Sequence, residues 1–394
     1  MHNTEYLGPE SSISKEIDEM KYRQKDESFD EKIKRISRTL SDDDEHRYKL
    51  EDILGNMRFL PAGRVQAAIG SNRITTAYNC FVSGVIEDNM NSIMEKASEA
   101  AETMRRGGGI GYDFSRIRPR GDKIKSLDSQ ASGPVSFMGI FDAVCQTIAS
   151  SGHRRGAQMG VLRVDHPDIE EFIMAKRNSD KLTGFNISVG ITDKFMEALT
   201  NDLDSSFTLE FQGKPYRTIC ARDLWDKIMD STWDWAEPGV LFIDRIKEMN
   251  NLYYCEEIYA TNPCGEQPLP PYGACLLGSF NLTKYLDEEQ IAGGEEPTSS
   301  FEFNFKSFKE DISHIVRAMD NVIDRTIYPL KQQSDEAKNK RRMGLGVTGL
   351  ANAGEMLGFQ YASEDFMKWA EKVFACLRDT CYKSSALIAK EKGA

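Results

Sequence analysis

From Arg58 onward the chain alternates short apolar runs, each closed by Gly or Pro, with stretches whose apolar residues recur at helical spacing. That alternation confines the bulk of the chain to α/β architecture. Residues 76–86 read as a strand. Asp88 then looks like the N-cap of a helix through residue 106, with Ile93, Met94, Ala97, Ala101 and Met104 on one face. Helices are expected over 135–150, 168–176, 224–235 and 308–327, and strands over 159–164, 185–191 and 240–243. Residues 343–359 begin Gly-rich and turn helical, and a last helix covers 363–392. The first 58 residues differ. They are charge-dense, with one helix expected over 16–40 and a second, capped by the acidic run 41–45, reaching Leu54. This part reads as a peripheral helical module. No repeat of 20–50 residues is visible.

Charge and composition remove whole classes. A formal net charge of −12 argues against a general nucleic-acid binder, because phosphate neutralisation needs clustered Lys and Arg. No run approaches the roughly 18 apolar residues of a membrane span, and the first residues lack a signal-peptide layout, so a cytoplasmic protein is expected. The eight cysteines are scattered, with no C-x-x-C, which fits neither a secreted disulfide framework nor a zinc knuckle. The default for such thiols is burial, and Cys376 and Cys381 point to different faces of one helix. Positive charge gathers locally at Arg105, Arg106, Arg116, Arg118 and Arg120, and again at 152–156. Either group could contact phosphate or simply form a solvated basic face. Asp165 and His166 have no partners that would make a metal site.

The most informative segment is Thr261-Asn262-Pro263-Cys264-Gly265-Glu266-Gln267-Pro268, which leads through Pro270 and Pro271 to Cys275. It puts a carboxamide, a thiol and a carboxylate within five residues on a stiff loop that Pro keeps from becoming helical. In extended geometry residues 262, 264 and 266 would face one substrate together. The alternative is a Pro-rich surface loop with an incidental cysteine.

Taken together, the motifs resemble the catalytic subunit of ribonucleotide reductase from about Arg58 to Ala394. The resemblance rests on Asn262-Pro263-Cys264-Gly265-Glu266 followed by Cys275, and on Tyr78-Asn79-Cys80. It also rests on the Gly107–Gly111 run, on Arg116-Ile117-Arg118-Pro119-Arg120-Gly121 and on Arg341-Arg342-Met343-Gly344-Leu345-Gly346-Val347, in that family's order. It implies the N-terminal part of a ten-stranded α/β barrel, over residues 59–394, with a central finger loop at about 260–283. It further implies a thiyl radical on Cys264, Glu266 as base on the 3′-hydroxyl and Asn262 on the ribose hydroxyls. Cys80 and Cys275 would be the reducing dithiol, which requires Cα atoms about 5.5–6 Å apart. Asn79 and Gly109 match substrate contacts. Asp88 and Arg118 match a site for a deoxynucleoside triphosphate effector at a dimer interface, and residues 176–186 the loop relaying effector identity.

The wording of the motifs resembles most the adenosylcobalamin-dependent diphosphate reductases, although an Asp-x-His-x-x-Gly cobalamin motif is absent. The resemblance also implies a thioredoxin- or glutaredoxin-type reductant. Three features depart from the family. Residues 1–58 are too short for its ATP-cone, Ala62 stands where many relatives carry a hydroxyl, and the later barrel strands are missing. The expectation is therefore an N-terminal piece of a split enzyme, completed by a second chain. The alternatives are a truncated chain, a fragment served by a metal-containing radical-generating subunit, a non-catalytic nucleotide-binding regulatory fragment, and a glycyl-radical enzyme on the same barrel.

Overall fold

The computed structural model describes residues 6–124, 128–148, 156–177, 181–201, 205–291 and 298–393. The basic motif at 152–156 lies outside them except for Gly156, as do residues 178–180 of the relay segment. The strands used below are β1 (Phe59–Pro61), β2 (Cys80–Val82), β3 (Gly109–Asp113), β4 (Gln158–Arg163), β5 (Phe185–Ile191), β6 (Gly239–Phe242), β7 (Ala260–Thr261), β8 (Pro268–Leu269), β9 (Ala274–Cys275), β10 (Leu277–Asn281) and β11 (Gly344–Thr348). The chain divides into two compact units.

One unit comprises residues 78–275 and 328–339. Its six-stranded sheet runs β6-β5-β4-β3-β2-β9. All neighbours are parallel except β9, which lies antiparallel on β2. Parallel strands need crossovers, and the helices Met90–Arg105 and Pro134–Thr147 supply two of them. β4 and β5 are buried nearly throughout, as expected of strands covered on both faces. Tyr112, Phe114, Phe141 and Phe185 form the aromatic core, with Tyr112 and Phe141 centroids 4.9 Å apart. The buried Tyr112 hydroxyl donates to Gln158 Oε1 at 2.8 Å, so this core leaves its polar tip satisfied.

The other unit comprises residues up to 77, 276–327 and 340 onward. Its three-stranded sheet pairs β1 antiparallel and β11 parallel with the central β10. The helix Phe305–Arg325 buries Phe308, Ile312, Ile315, Met319, Val322 and Ile323, an i, i+3/i+4 stripe. The expected helix over 16–40 is two helices, Ser12–Lys21 and Phe29–Leu40. They are separated by left-handed Asp26, and the second starts at a Ser28/Glu31 capping box. Asp43 caps Asp44–Gly55 as the acidic run suggested. The polar composition misled in one respect. Ile33, Ile36, Leu40, Leu50, Ile53 and Leu54 are all core residues, and the Lys32–Asp18 ion pair is buried among them.

Candidate active site

The chemistry-bearing loop is a hairpin. β7 and β8 pair Ala260 with Leu269 and Thr261 with Pro268. The Asn262 N–H donates to Gln267 O at 3.1 Å, and the Gln267 N–H to the Asn262 side-chain oxygen at 2.9 Å. The Gly265 N–H closes a turn onto Asn262 O at 3.0 Å, and the φ of +82° at Gly265 is one that glycine adopts freely. The extended geometry expected of 262–266 is therefore wrong: Pro263 and Gly265 favour a turn over a strand. Asn262 is fully buried at the neck, while Cys264 and Glu266 are exposed at the tip.

Glycines in β3 let this hairpin lie against the sheet. A Cβ on Gly111 would stand 1.8 Å from Thr261 O, and one on Gly109 would stand 2.8 Å from Pro263 Cγ. The sheet brings the other predicted residues to the same place. Cys275 lies directly opposite Cys80 in the β9/β2 ladder, and Cys80 is in register with Gly109 on β3. Antiparallel partners have Cα atoms about 4.5–5.5 Å apart, within the span a disulfide can bridge. All the cysteines are reduced thiols. The Cys275 thiol is pushed far above the ordinary range, first by its hydrogen bond with Cys80, then by burial, then by the charges of Glu266 and Cys264. Those influences put two thiols, the tip cysteine and the carboxylate in one electrostatic neighbourhood.

Two polar atoms here lack a partner among the described residues. Asn262 Nδ2 and Asn79 Oδ1 are buried and make no hydrogen bond with any of them. An orphan of this kind costs about 1–3 kcal/mol, so both are free valences that a polyhydroxylated ligand could fill.

The structure corrects the N-cap assignment. The helix Met90–Arg105 is capped by Asn89, whose side chain accepts from the Ser92 N–H. Asp88 is thereby released to bind Arg118, which reaches it through its backbone N–H at 3.2 Å and Nε at 2.7 Å. The two expected effector residues are thus brought together. The neighbouring arginines also face carboxylates: Arg106 pairs with Glu102, Arg116 with Glu87 and Arg120 with Glu171. The local basic charge is largely neutralised. His166 is buried, with Nε2 at Ile117 O and Nδ1 accepting the Asp168 N–H. Among the described residues no group of His, Cys, Asp and Glu could hold a metal ion.

Sequence reasoning missed Gly111 as the seat of the hairpin and Asn186 as a contact to it. Asn186 Nδ2 donates to Pro263 O at 2.7 Å. Its signal was a lone carboxamide in the run Phe185–Ile191, which is otherwise apolar but for Ser188.

Comparison with known proteins gives a consistent picture. The family model described as "Ribonucleotide reductase, barrel domain" matches residues 78–394. The vitamin B12-dependent ribonucleoside-diphosphate reductase of Thermoplasma acidophilum is 38% identical over 347 residues, which cover 88% of this chain and 43% of that protein. The protein of the same description from Mycobacterium tuberculosis is 37% identical over 343 residues, 87% of this chain and 48% of its own length. The chain thus spans a little under half the length of these relatives. A class Id ribonucleotide reductase alpha subunit from Actinobacillus ureae superposes with a TM-score of 0.80 at 21% identity, over 98% of this chain and 68% of its own, a likeness of fold.

Proposed function

This chain belongs to the barrel-domain family of the ribonucleotide reductases, and from that premise we propose that it carries the radical-bearing loop and the reducing dithiol for conversion of ribonucleotides, in particular diphosphates, to 2′-deoxyribonucleotides. The observation that carries this reading is the pairing of Cys80 with Cys275 beside the hairpin that presents Cys264 and Glu266.

Each residue has a task its surroundings support. Cys264, exposed at the tip, takes the 3′ hydrogen atom of the ribose and later returns it. Glu266 holds the 3′-hydroxyl proton. Asn262 Nδ2 and Asn79 Oδ1 bond the sugar with valences that no described residue uses. Gly109 keeps the floor clear of a side chain. The 2′ C–O bond breaks and its oxygen leaves as water. The Cys80 and Cys275 thiols supply two electrons and two protons and form one S–S bond. Burial and mutual hydrogen bonding keep the Cys275 thiol protonated, the form this step consumes. A thioredoxin- or glutaredoxin-type dithiol then reduces the bond. Asp88 and Arg118 receive the deoxynucleoside triphosphate effector, at the interface of a homodimer.

The names of the relatives favour adenosylcobalamin over a metal-bearing subunit. The exposed Cys264 thiol meets the first requirement of such a cofactor, since a large group can approach its sulfur without displacing core side chains. Adenosylcobalamin would supply the radical chemistry there, and Cys264 is the residue placed to take it up.

The remaining strands of the barrel are assigned to the open edge of this unit. Among the described residues β11 pairs only with β10, and a groove of about 730 Å³ opens beside it, lined by Val316, Leu345, Phe374, Leu377 and Tyr382 with the charged Arg341, Glu371 and Arg378 in the same wall. An open strand edge beside apolar side chains invites further strands.

The decisive experiment mixes this chain with one carrying the remaining length of the relatives, adenosylcobalamin, a dithiol and a ribonucleoside diphosphate. Deoxynucleotide formation that Cys264→Ala abolishes supports the reading. Turnover only with a metal-bearing subunit moves the radical source. Effector binding without turnover in either mixture leaves a regulatory fragment.

A further inference from the structure

We propose that Asn186 is a positioning residue that aims the Cys264 thiol. Its consequence for turnover rests on the function just proposed, but its geometry does not.

Asn186 is an exposed carboxamide flanked along β5 by buried Phe185 and Ile187. Its Nδ2 donates to Pro263 O at 2.7 Å, across 77 residues of sequence. That carbonyl belongs to the peptide whose N–H is that of Cys264. Holding the peptide plane therefore fixes the backbone from which the Cys264 Cα–Cβ bond departs. Pro263 has no N–H, so its carbonyl is the only backbone hydrogen-bonding group it offers.

The hydrogen bond is one member of a row. In the parallel ladders Gly111 is in register with Met159, and Met159 with Asn186. Residues in register across adjacent strands share a face. Gly111 lies under Thr261 O, before the turn, and Met159 Cε lies 4.0 Å from where a Gly265 Cβ would be, after it. Asn186 holds the middle. The row thus meets the hairpin at 261, 263 and 265, the alternate residues around Cys264. Met159 and Gly111 are placed only by proximity to the hairpin, whereas Asn186 makes a directed hydrogen bond to it. The start of β5 is itself anchored, because Lys176 Nζ donates to Phe185 O and pairs with Glu237. A displacement in the chain just before Asn186 would therefore be passed to the radical-bearing peptide through one hydrogen bond.

The test compares Asn186→Ala and Asn186→Asp, whose ionised carboxylate cannot donate, with Asn186→Gln, which keeps the donor. On the chain alone, iodoacetamide alkylation of Cys264 and hydrogen exchange at its amide are read against exposed Cys255 as internal control. Alanine and aspartate should change both at Cys264 at least fivefold, leave Cys255 unchanged and shift Tm by less than about 2 °C, as for surface substitutions. Glutamine should recover part of the difference. In the complemented reductase, kcat should fall about ten- to a hundredfold, as a misplacement of about 1 Å can produce, with KM within about twofold. Unchanged alkylation and exchange at Cys264 in both the alanine and aspartate variants would overturn the proposal. A reductase assay silent for the unaltered protein counts against the proposed function alone, since labelling still decides the role of Asn186.

Discussion

Under the proposed function Cys275 gives up a hydrogen and has to stay protonated until the substrate reacts, a state its surroundings favour. Its partner Cys80, its burial and the nearby Glu266 all disfavour the thiolate. Because the thiolate is the form that alkylates, Cys275 should resist iodoacetamide at pH 8 while exposed Cys264 and Cys255 react, as peptide mapping would show. Cys80→Ser and Cys275→Ser should each abolish multiple turnover with a fall of at least about 10³, and the double variant should be no worse, because residues that act as a unit are not additive. Deoxynucleotide formation over several cycles checks this, and a clearly worse double variant would mean that the two thiols act separately. Asn262 divides its polar atoms between folding and binding. Its oxygen holds the Gln267 N–H, while its Nδ2 bonds to no described residue. Asn262→Asp keeps the acceptor and, once ionised, removes the donor; burying the carboxylate lowers Tm, so activity is compared at a temperature where the variant is fully folded. The same variant should lower kcat/KM about ten- to a hundredfold, or about 1.4–2.8 kcal/mol.

Elements with a clean hydrophobic period were legible in the sequence and those defined by local hydrogen bonding were not. β4, β5 and the helix Pro134–Thr147 fall within a residue or three of expectation, because apolar runs and Gly/Pro stops mark them directly. The hairpin Ser206–Phe211/Lys214–Cys220 was missed, since its outer face is polar and its second strand largely exposed. Asn89 displaced Asp88 as a cap because both residues can cap, and only the reach of Arg118 decides between them. In the site, the residue types were legible and the fold of the loop was not: a turn at 262–265 depends on Gly265 and on the Asn262–Gln267 bonds. The β3 glycines make that dependence testable. Gly111→Ala drives a Cβ into a backbone oxygen and should cost about 1–3 kcal/mol with loss of turnover. Gly109→Ala meets the Pro263 ring at 2.8 Å and Ala157 O at 3.2 Å, both longer approaches than the one at Gly111, and should cost less. Thermal melts of both variants check the order, and equal effects would mean that the hairpin is not seated on Gly111. Asp320 tests the other unit. Burial opposes its charge, but Arg341 and Lys392 outweigh that and hold its carboxyl below the usual range. Its stabilisation is therefore present above the ordinary carboxylate pKa, near 4, and fades as pH falls through the depressed folded value. Asp320→Asn should lose about 1–3 kcal/mol at pH 7, and the deficit should shrink below about pH 4. A Tm–pH series of both proteins reads it.

At the scale of the whole molecule the question is what the open edge of β11 meets. The curated relatives carry more than half of their length beyond the region matched here. In this unit Phe374 and Tyr382 project from the helix Glu364–Lys392 into the groove beside β11 while still 44% and 64% exposed. Side chains that apolar are worth about 1.5–3 kcal/mol each when fully covered, and an unpaired strand edge adds backbone hydrogen bonds to that. Both terms fit further strands of the barrel as the occupant. Phe374→Asp separates this use of the groove from any role in folding. Because the ring is already half in water, the variant alone should melt within about 3 °C of the unaltered protein, a change below roughly 1 kcal/mol. Its association with a chain carrying the remaining length should weaken by tenfold or more, measured by sedimentation or titration calorimetry. Reductase activity should fall with it and recover as the complementing chain is raised in concentration. Association at full strength with Phe374→Asp would show that the groove is not the seat, and the strand edge alone would then have to account for the pairing.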